Sequence, residues 1–206
     1  MIVLTVTGGI GSGKSEVCRI IHDAYGFPVY EADKKVKELY RKDISLLEGI
    51  ENELKCSLRD ERGCFMPGSL AERIFGDHDA MNKVESLVFP ALVEDFNSWK
   101  QDHADKDAVV FESATVLEKD FFNGFSDKVI IVDAPFDTRL KRACARDKAS
   151  EQDILRRMMA QKLMNSVSEG YGDLGVDAVI RNEKDFASLE SEVKAVINGI
   201  LTSKHN

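Results

Sequence analysis

Residues Ile2 to Val6 are almost continuously apolar and β-branched, the pattern of a strand covered on both faces, as in a parallel sheet. A glycine-rich turn follows. The spacing of Val17, Ile20 and Ile21 then predicts a helix from Lys14, with these residues on one face. Gly26-Phe27-Pro28-Val29-Tyr30 reads as a turn and a short second strand, and Lys34 to Arg41 as a charged helix. From about Asp43 to Lys106 strand signal is scarce. Met81 to Trp99 is the clearest helix there, with Val84, Leu87, Val88, Leu92, Val93 and Phe96 at helical spacing, and Pro90 is expected to kink or split it. Sheet character returns at Ala108–Phe111, at Val129–Val132 and at Asp177–Ile180. A stripe of Phe186, Leu189, Val193, Val196, Ile197 and Ile200 marks the last helix. Strands alternating with helices predict an α/β sheet built by right-handed crossovers, with a mostly helical insertion in the first half.

Length and charge narrow the function. The chain has 206 residues, 43% of them hydrophobic, and 28 basic against 36 acidic side chains for a net charge of −8. That suits one globular domain with an insertion and argues against disorder. The acidic balance argues against coating nucleic acid or an anionic membrane. Cys18, Cys56, Cys64 and Cys144 form no C-x-x-C pair and no repeated metal-ligand spacing, so buried or incidental thiols are expected. No apolar run approaches the roughly 18 residues of a membrane span. The N-terminus runs straight into a strand without a basic, apolar and small-residue leader pattern, so a cytoplasmic location is expected.

Gly8-Gly9-Ile10-Gly11-Ser12-Gly13-Lys14-Ser15 fits G-x-x-x-x-G-K-[ST] between an apolar strand and a helix start, which is the context that gives the motif meaning. Glycines let the backbone wrap an anion closely, and amide N–H groups at a helix N-terminus point at it. Lys14 supplies a charge that follows the β and γ phosphates, and the Ser15 hydroxyl is the expected Mg²⁺ ligand. Nucleoside triphosphate binding is the reading these residues carry. They do not name the phosphoryl acceptor.

A guanine-reading N-K-x-D is absent, because in Asn182-Glu183-Lys184-Asp185 the lysine is displaced by one position. Val129 to Asp133 has the outline of a strand ending in a magnesium-linked acid, although ordinary capping chemistry puts aspartate there too. From Arg139 to Lys162 eight basic residues face three acidic ones, so this segment is +5 and the remainder −13. Arg139, Arg142 and Arg146 stand at i, i+3 and i+7, so one helical face can offer three guanidinium groups to a transferring phosphate. A solvated face with local ion pairs to Asp147 or Glu151 is the alternative. Asp33 follows the short second strand and opens a helix. There it can accept the proton of an attacking hydroxyl or simply cap the helix.

Taken together, these residues resemble the dephospho-CoA kinase family. The likeness lies in Thr7 to Ser15, in Glu31-Ala32-Asp33 where the family usually has Asp-Ala-Asp, and in Arg142 and Arg146 after a strand. It continues through Arg157-Met158-Met159-Ala160-Gln161 and Asp177 to Asn182. The resemblance implies a P-loop kinase fold: a five-stranded parallel sheet flanked by helices, with a helical substrate-binding insertion and a lid. The implied divisions are a nucleotide-binding core of residues 1–33, 106–145 and 170–206, a substrate domain of 34–105 and a lid of 146–169. It implies ATP and 3′-dephospho-CoA as substrates, magnesium, and CoA and ADP as products, the last step of CoA synthesis. ATP contacts are then expected from Gly8, Gly9, Gly11, Ser12, Gly13, Lys14, Ser15 and Glu16, with Asn182 beside the adenine. Asp33 becomes the expected base on the ribose 3′-hydroxyl, and Arg142 and Arg146 the expected lid or phosphate-contacting residues. Departures cluster around the acceptor. Glu16 replaces a common threonine, Pro67 stands where an Asp-Arg pair is usual, Phe89 replaces histidine, and Glu112 to Glu118 keeps only the acidic ends of its string. The alternatives left open are a nucleoside or nucleotide kinase of the same architecture and a slow ATPase switch.

Overall fold

A computed structural model of the chain describes residues 1–161 and 175–203. The chain divides into two compact units, Met1–Glu31 with His103–Asn206, and Ala32–Asp102.

The first unit is built on five parallel strands: β1 (Ile2–Thr7), β2 (Val29–Glu31), β3 (Ala108–Glu112), β4 (Lys128–Asp133) and β5 (Ala178–Arg181). Their order is β2-β3-β1-β4-β5, which makes β1 the centre of the sheet. Every residue of β1 is buried, and this accounts for its unbroken apolar pattern. On one face Ile2, Leu4 and Val6 line up with Ala108, Val110, Ile130, Val132 and Ile180. Two helices cover that face. The helix α1 (Lys14–Tyr25) supplies Val17, Ile20 and Ile21, and the C-terminal helix, called α8 here (Phe186–Ser203), supplies Leu189, Val193, Ile197 and Ile200. Parallel register sets all the strand C-termini along one edge, so that the turn after β1, Glu112 at the end of β3, Asp133 at the end of β4 and Asn182 after β5 share it. Two further helices, α6 (Phe136–Asp147) and α7 (Glu151–Met159), follow β4. They pack on each other through Ala143, Ile154 and Met158.

The second unit holds α2 (Ala32–Lys42), α3 (Ile44–Leu54), α4 (Pro67–Ile74) and α5 (His78–Gln101) around Leu47, Ile50, Leu54, Leu58, Val84 and Val88. Asp43 and Asp77 cap α3 and α5 by accepting from the Leu46 and Ala80 amides. Of the two effects expected of Pro90, a kink or a split, the split does not occur: α5 runs through Pro90 from His78 to Gln101. Proline has no amide to bond the Ser86 carbonyl, and Ser86 and Pro90 both lie on the exposed stripe of the helix.

Among the described residues no helix is long and apolar enough to cross a membrane. The four cysteines are free thiols, with Cys18 buried and Cys64 exposed. Ile197 is fully buried between α8 and the sheet. Ile197→Ala should therefore destabilise the protein by about 2–5 kcal/mol through lost burial and a residual cavity. Urea unfolding would measure this, and a shift under half a kilocalorie per mole, roughly the surface-substitution range, would contradict the packing.

Candidate active site

The turn from Gly8 to Gly13 joins the central strand to α1, and its conformation is set by what presses on it. Gly11 has φ +76°, and a Cβ there would collide with the Arg139 carbonyl oxygen on α6. Gly13, with φ +101°, is the N-cap of α1, and a Cβ there would run into the Asn182 side-chain amide. Side chains are excluded at both positions by the backbone angle and by space. The Lys14 ammonium folds over the turn and donates to the Gly8 and Gly9 carbonyls at 3.0 and 3.3 Å. The first amides of α1 lie at a helix N-terminus, whose partial positive charge favours an anion.

Asn182 is 94% buried by its neighbours, with 6% of its surface exposed, and ties three elements together. Its backbone amide donates to the Asp133 carbonyl, and its side-chain amide donates to the Ser12 carbonyl at 2.9 Å. Arg142 of α6 donates to the Asn182 backbone and side-chain oxygens at 3.5 and 3.4 Å. A cavity of about 300 Å³ opens beside this junction, lined by Gly13, Glu16, Arg142, Asn182, Phe186 and Leu189 among others. Glu16 lies on its wall and is paired with Arg19 at 2.6 Å, which holds the Glu16 carboxyl below its usual range.

On the other side of α1 the Ser15 hydroxyl donates to Glu112 Oε1 at 3.2 Å. Glu112 is in register with Glu31 of β2, so two carboxylates end neighbouring strands. A second cavity, about 320 Å³, lies here, with Ser15, Cys18, His22, Glu31 and Glu112 in its lining. Burial pushes the Cys18 thiol well up, and the Glu112 charge adds to the effect, so this sulfur stays protonated.

The arginines of α6 do not form the open row their spacing suggests. Arg139 is buried, with its guanidinium over the Phe136 ring. Arg142 faces Asn182. Arg146 makes a two-pronged contact with Asp147, at 2.6 and 3.2 Å, and Arg157 of α7 reaches the same carboxylate at 2.7 Å. The local ion pair considered from the sequence is thus made in this state. The Arg146 hydrogen bond, reinforced by Arg157, holds the Asp147 carboxyl down at about 2.

The fold therefore brings Gly8, Gly9, Gly11, Ser12, Gly13, Lys14, Ser15, Glu16, Arg142 and Asn182 to one end of the first unit. Arg146 stands one turn further along α6. Asp33 belongs to the second unit, exposed in the first turn of α2. Asp133 accepts from the adjacent Ala134 amide and does not cap α6, whose N-cap is Pro135. Lys162 and residues 162–169 of the expected lid lie outside the described residues. Sequence reasoning assigned no role to Phe186, which lines the first cavity, or to Gln161, whose side chain accepts from the Ile10 amide. It noted Glu112 only as a retained acid.

A five-stranded parallel sheet of this order, with an anion-binding turn between its central strand and first helix, defines a P-loop kinase fold. The fold is shared with a shikimate kinase from Acinetobacter baumannii in complex with shikimate, at TM-score 0.55 and 15% identity, covering 100% of this chain and 96% of that one. The family model for dephospho-CoA kinase matches residues 2–186, and the chain belongs to that family. A dephospho-CoA kinase from Porphyromonas gingivalis is 32% identical over 206 residues, 100% of this chain and 98% of the relative. One from Chlorobaculum tepidum is 30% identical over 206 residues, 98% and 96% of the two chains. A crystal structure from Thermus thermophilus is similar at TM-score 0.78 and 25% identity, covering 96% of this chain and 97% of the other.

Magnesium, which the family's chemistry implies, has a fitting donor set in the Ser15 hydroxyl and the Glu112 carboxylate, both hard oxygen ligands within 3.2 Å of each other.

The Asp147 contact is pH-dependent with a definite sign. Its folded pKa lies below the ordinary 3.8, so its stabilisation is complete above about pH 4 and disappears as pH falls through about 2. Asp147→Asn should flatten that part of the acid-unfolding curve. Superimposable curves for the two proteins between pH 4 and 2 would contradict the pairing.

Proposed function

We propose that the protein transfers the γ-phosphoryl group of ATP to the ribose 3′-hydroxyl of 3′-dephospho-CoA, giving ADP and CoA, and that it does so with magnesium in a cytoplasmic setting. The observation that carries this reading is the full-length likeness to dephospho-CoA kinases, 32% identity across all 206 residues, on a fold with a built anion turn. The four free thiols fit a reducing compartment.

In this reading the amides at the start of α1 receive the phosphates. Lys14 exchanges the Gly8 and Gly9 carbonyls for β- and γ-phosphate oxygens, replacing dipoles with full negative charge. Ser15 and Glu112 would hold magnesium, which would neutralise charge on the phosphate oxygens. The adenine occupies the cavity at Asn182, with the Arg142 guanidinium beside it. Arg146 leaves Asp147 and meets the charge on the transferring group. Asp33 takes the proton of the 3′-hydroxyl as its oxygen bonds to the γ-phosphorus and the bond from that phosphorus to the β,γ-bridging oxygen breaks.

Purified protein with ATP, Mg²⁺ and 3′-dephospho-CoA should yield ADP and CoA in equal amounts. ADP release without an acceptor would instead favour an ATPase switch, and turnover restricted to a nucleoside or nucleotide would make the protein a different kinase of this fold. Asp33→Asn should keep ATP affinity and lower kcat by about 10²- to 10⁴-fold, the usual worth of a general base. Near-normal turnover of that variant would remove the assignment.

A further inference from the structure

The turn Gly8–Gly13 carries one apolar side chain, Ile10, between Gly9 and Gly11. Glycines on both sides leave the tip with little stiffness of its own, so whatever holds Ile10 sets its position. Two contacts hold it. The Ile10 side chain packs on the α6–α7 cluster of Ala143, Ile154 and Met158. The Ile10 amide donates to Gln161 Oε1 at 2.8 Å, from a side chain that is only 6% exposed and follows the end of α7. The neighbouring amide of Ser12 is already closed onto the Gly9 carbonyl at 3.1 Å. The Arg139 carbonyl of α6 abuts Gly11.

We infer that Gln161 is a positioning residue for phosphoryl transfer: by accepting the Ile10 amide it fixes the tip of the phosphate turn to the α6–α7 pair that carries Arg142, Arg146 and Arg157. The cradle and the arginines are then located relative to each other before nucleotide arrives. The Ile10 amide is spent on Gln161, which leaves the anion to the amides at the start of α1. Removing the acceptor leaves a partly buried donor unmet and frees the tip, so phosphate binding and transfer lose their fixed reference. This rests on the kinase reading above only in naming the reaction. The coupling itself concerns any triphosphate bound at the turn.

The test joins amide hydrogen exchange to kinetics. In nucleotide-free wild-type protein the Ile10 amide should be strongly protected. Q161M keeps length and apolar packing and loses the acceptor. It should speed Ile10 exchange and lower kcat/KM for ATP, each by about ten- to a hundredfold, with KM for 3′-dephospho-CoA unchanged. Q161E retains an oxygen for the same N–H and should restore Ile10 protection, while its added charge keeps KM for ATP raised. Open-chain exchange at Ile10 in the wild type would overturn the inference, as would Q161M with both Ile10 protection and ATP kinetics intact. A purely structural role would lower Tm and loosen amides throughout α6 and α7 in proportion, and that result would also overturn it. Should Q161M fail to fold, the wild-type exchange decides. Ile10 exchange and direct ATP binding are read without acceptor, so failure of the dephospho-CoA assay is separable from failure here.

Discussion

The first unit depends on a constraint of backbone geometry: six residues after β1 must form an open turn rather than continue as strand or helix. A turn rich in glycine has no intrinsic reason to hold one shape, and its conformational entropy opposes any ordering. Its order is imposed from three directions. Asn182 holds Ser12 from the β5 side, Gln161 holds Ile10 from the α7 side, and the Arg139 backbone closes on Gly11. The central position of β1 makes this possible, because only a middle strand delivers its loop to an edge flanked on both sides by other strand ends.

From that constraint the electrostatics follow. Lys14 donates to carbonyl oxygens of the turn it belongs to. Ser15 lies one residue further, directed to the strand-end acid Glu112 on the opposite side of α1 from Asn182. A single helix N-terminus thus separates the cavity at Arg142, Asn182 and Phe186 from the one at Glu31 and Glu112.

Much of this architecture was legible in the residue pattern, for a definite reason. One-sided burial leaves a period in the sequence, which α1 and the α8 stripe carry because each packs on the same sheet face, while β1, buried on both faces, is legible as an unbroken apolar run. The phosphate turn was legible because its chemistry allows few substitutes. Continuity of α5 was not, since the effect of Pro90 depends on which way the Ser86 carbonyl faces. Arg139 reads as a surface cation by type, yet α6 turns it inward over Phe136. The contacts of Asn182 and Gln161 join residues 170 and 151 positions apart, and no local spacing encodes them. Glu112 and Ser15 meet across 97 positions for the same reason.

The carboxylate shared by Arg146 and Arg157 has a consequence for selectivity. These guanidinium groups already share an oxyanion in Asp147, so under the proposed function a phosphate reaching them would replace one oxyanion with another. In such an exchange total charge counts for less than shape. A spherical halide offers no counterpart to the flat, two-point grip of a guanidinium, whereas a tetrahedral oxyanion presents pairs of oxygens that match it.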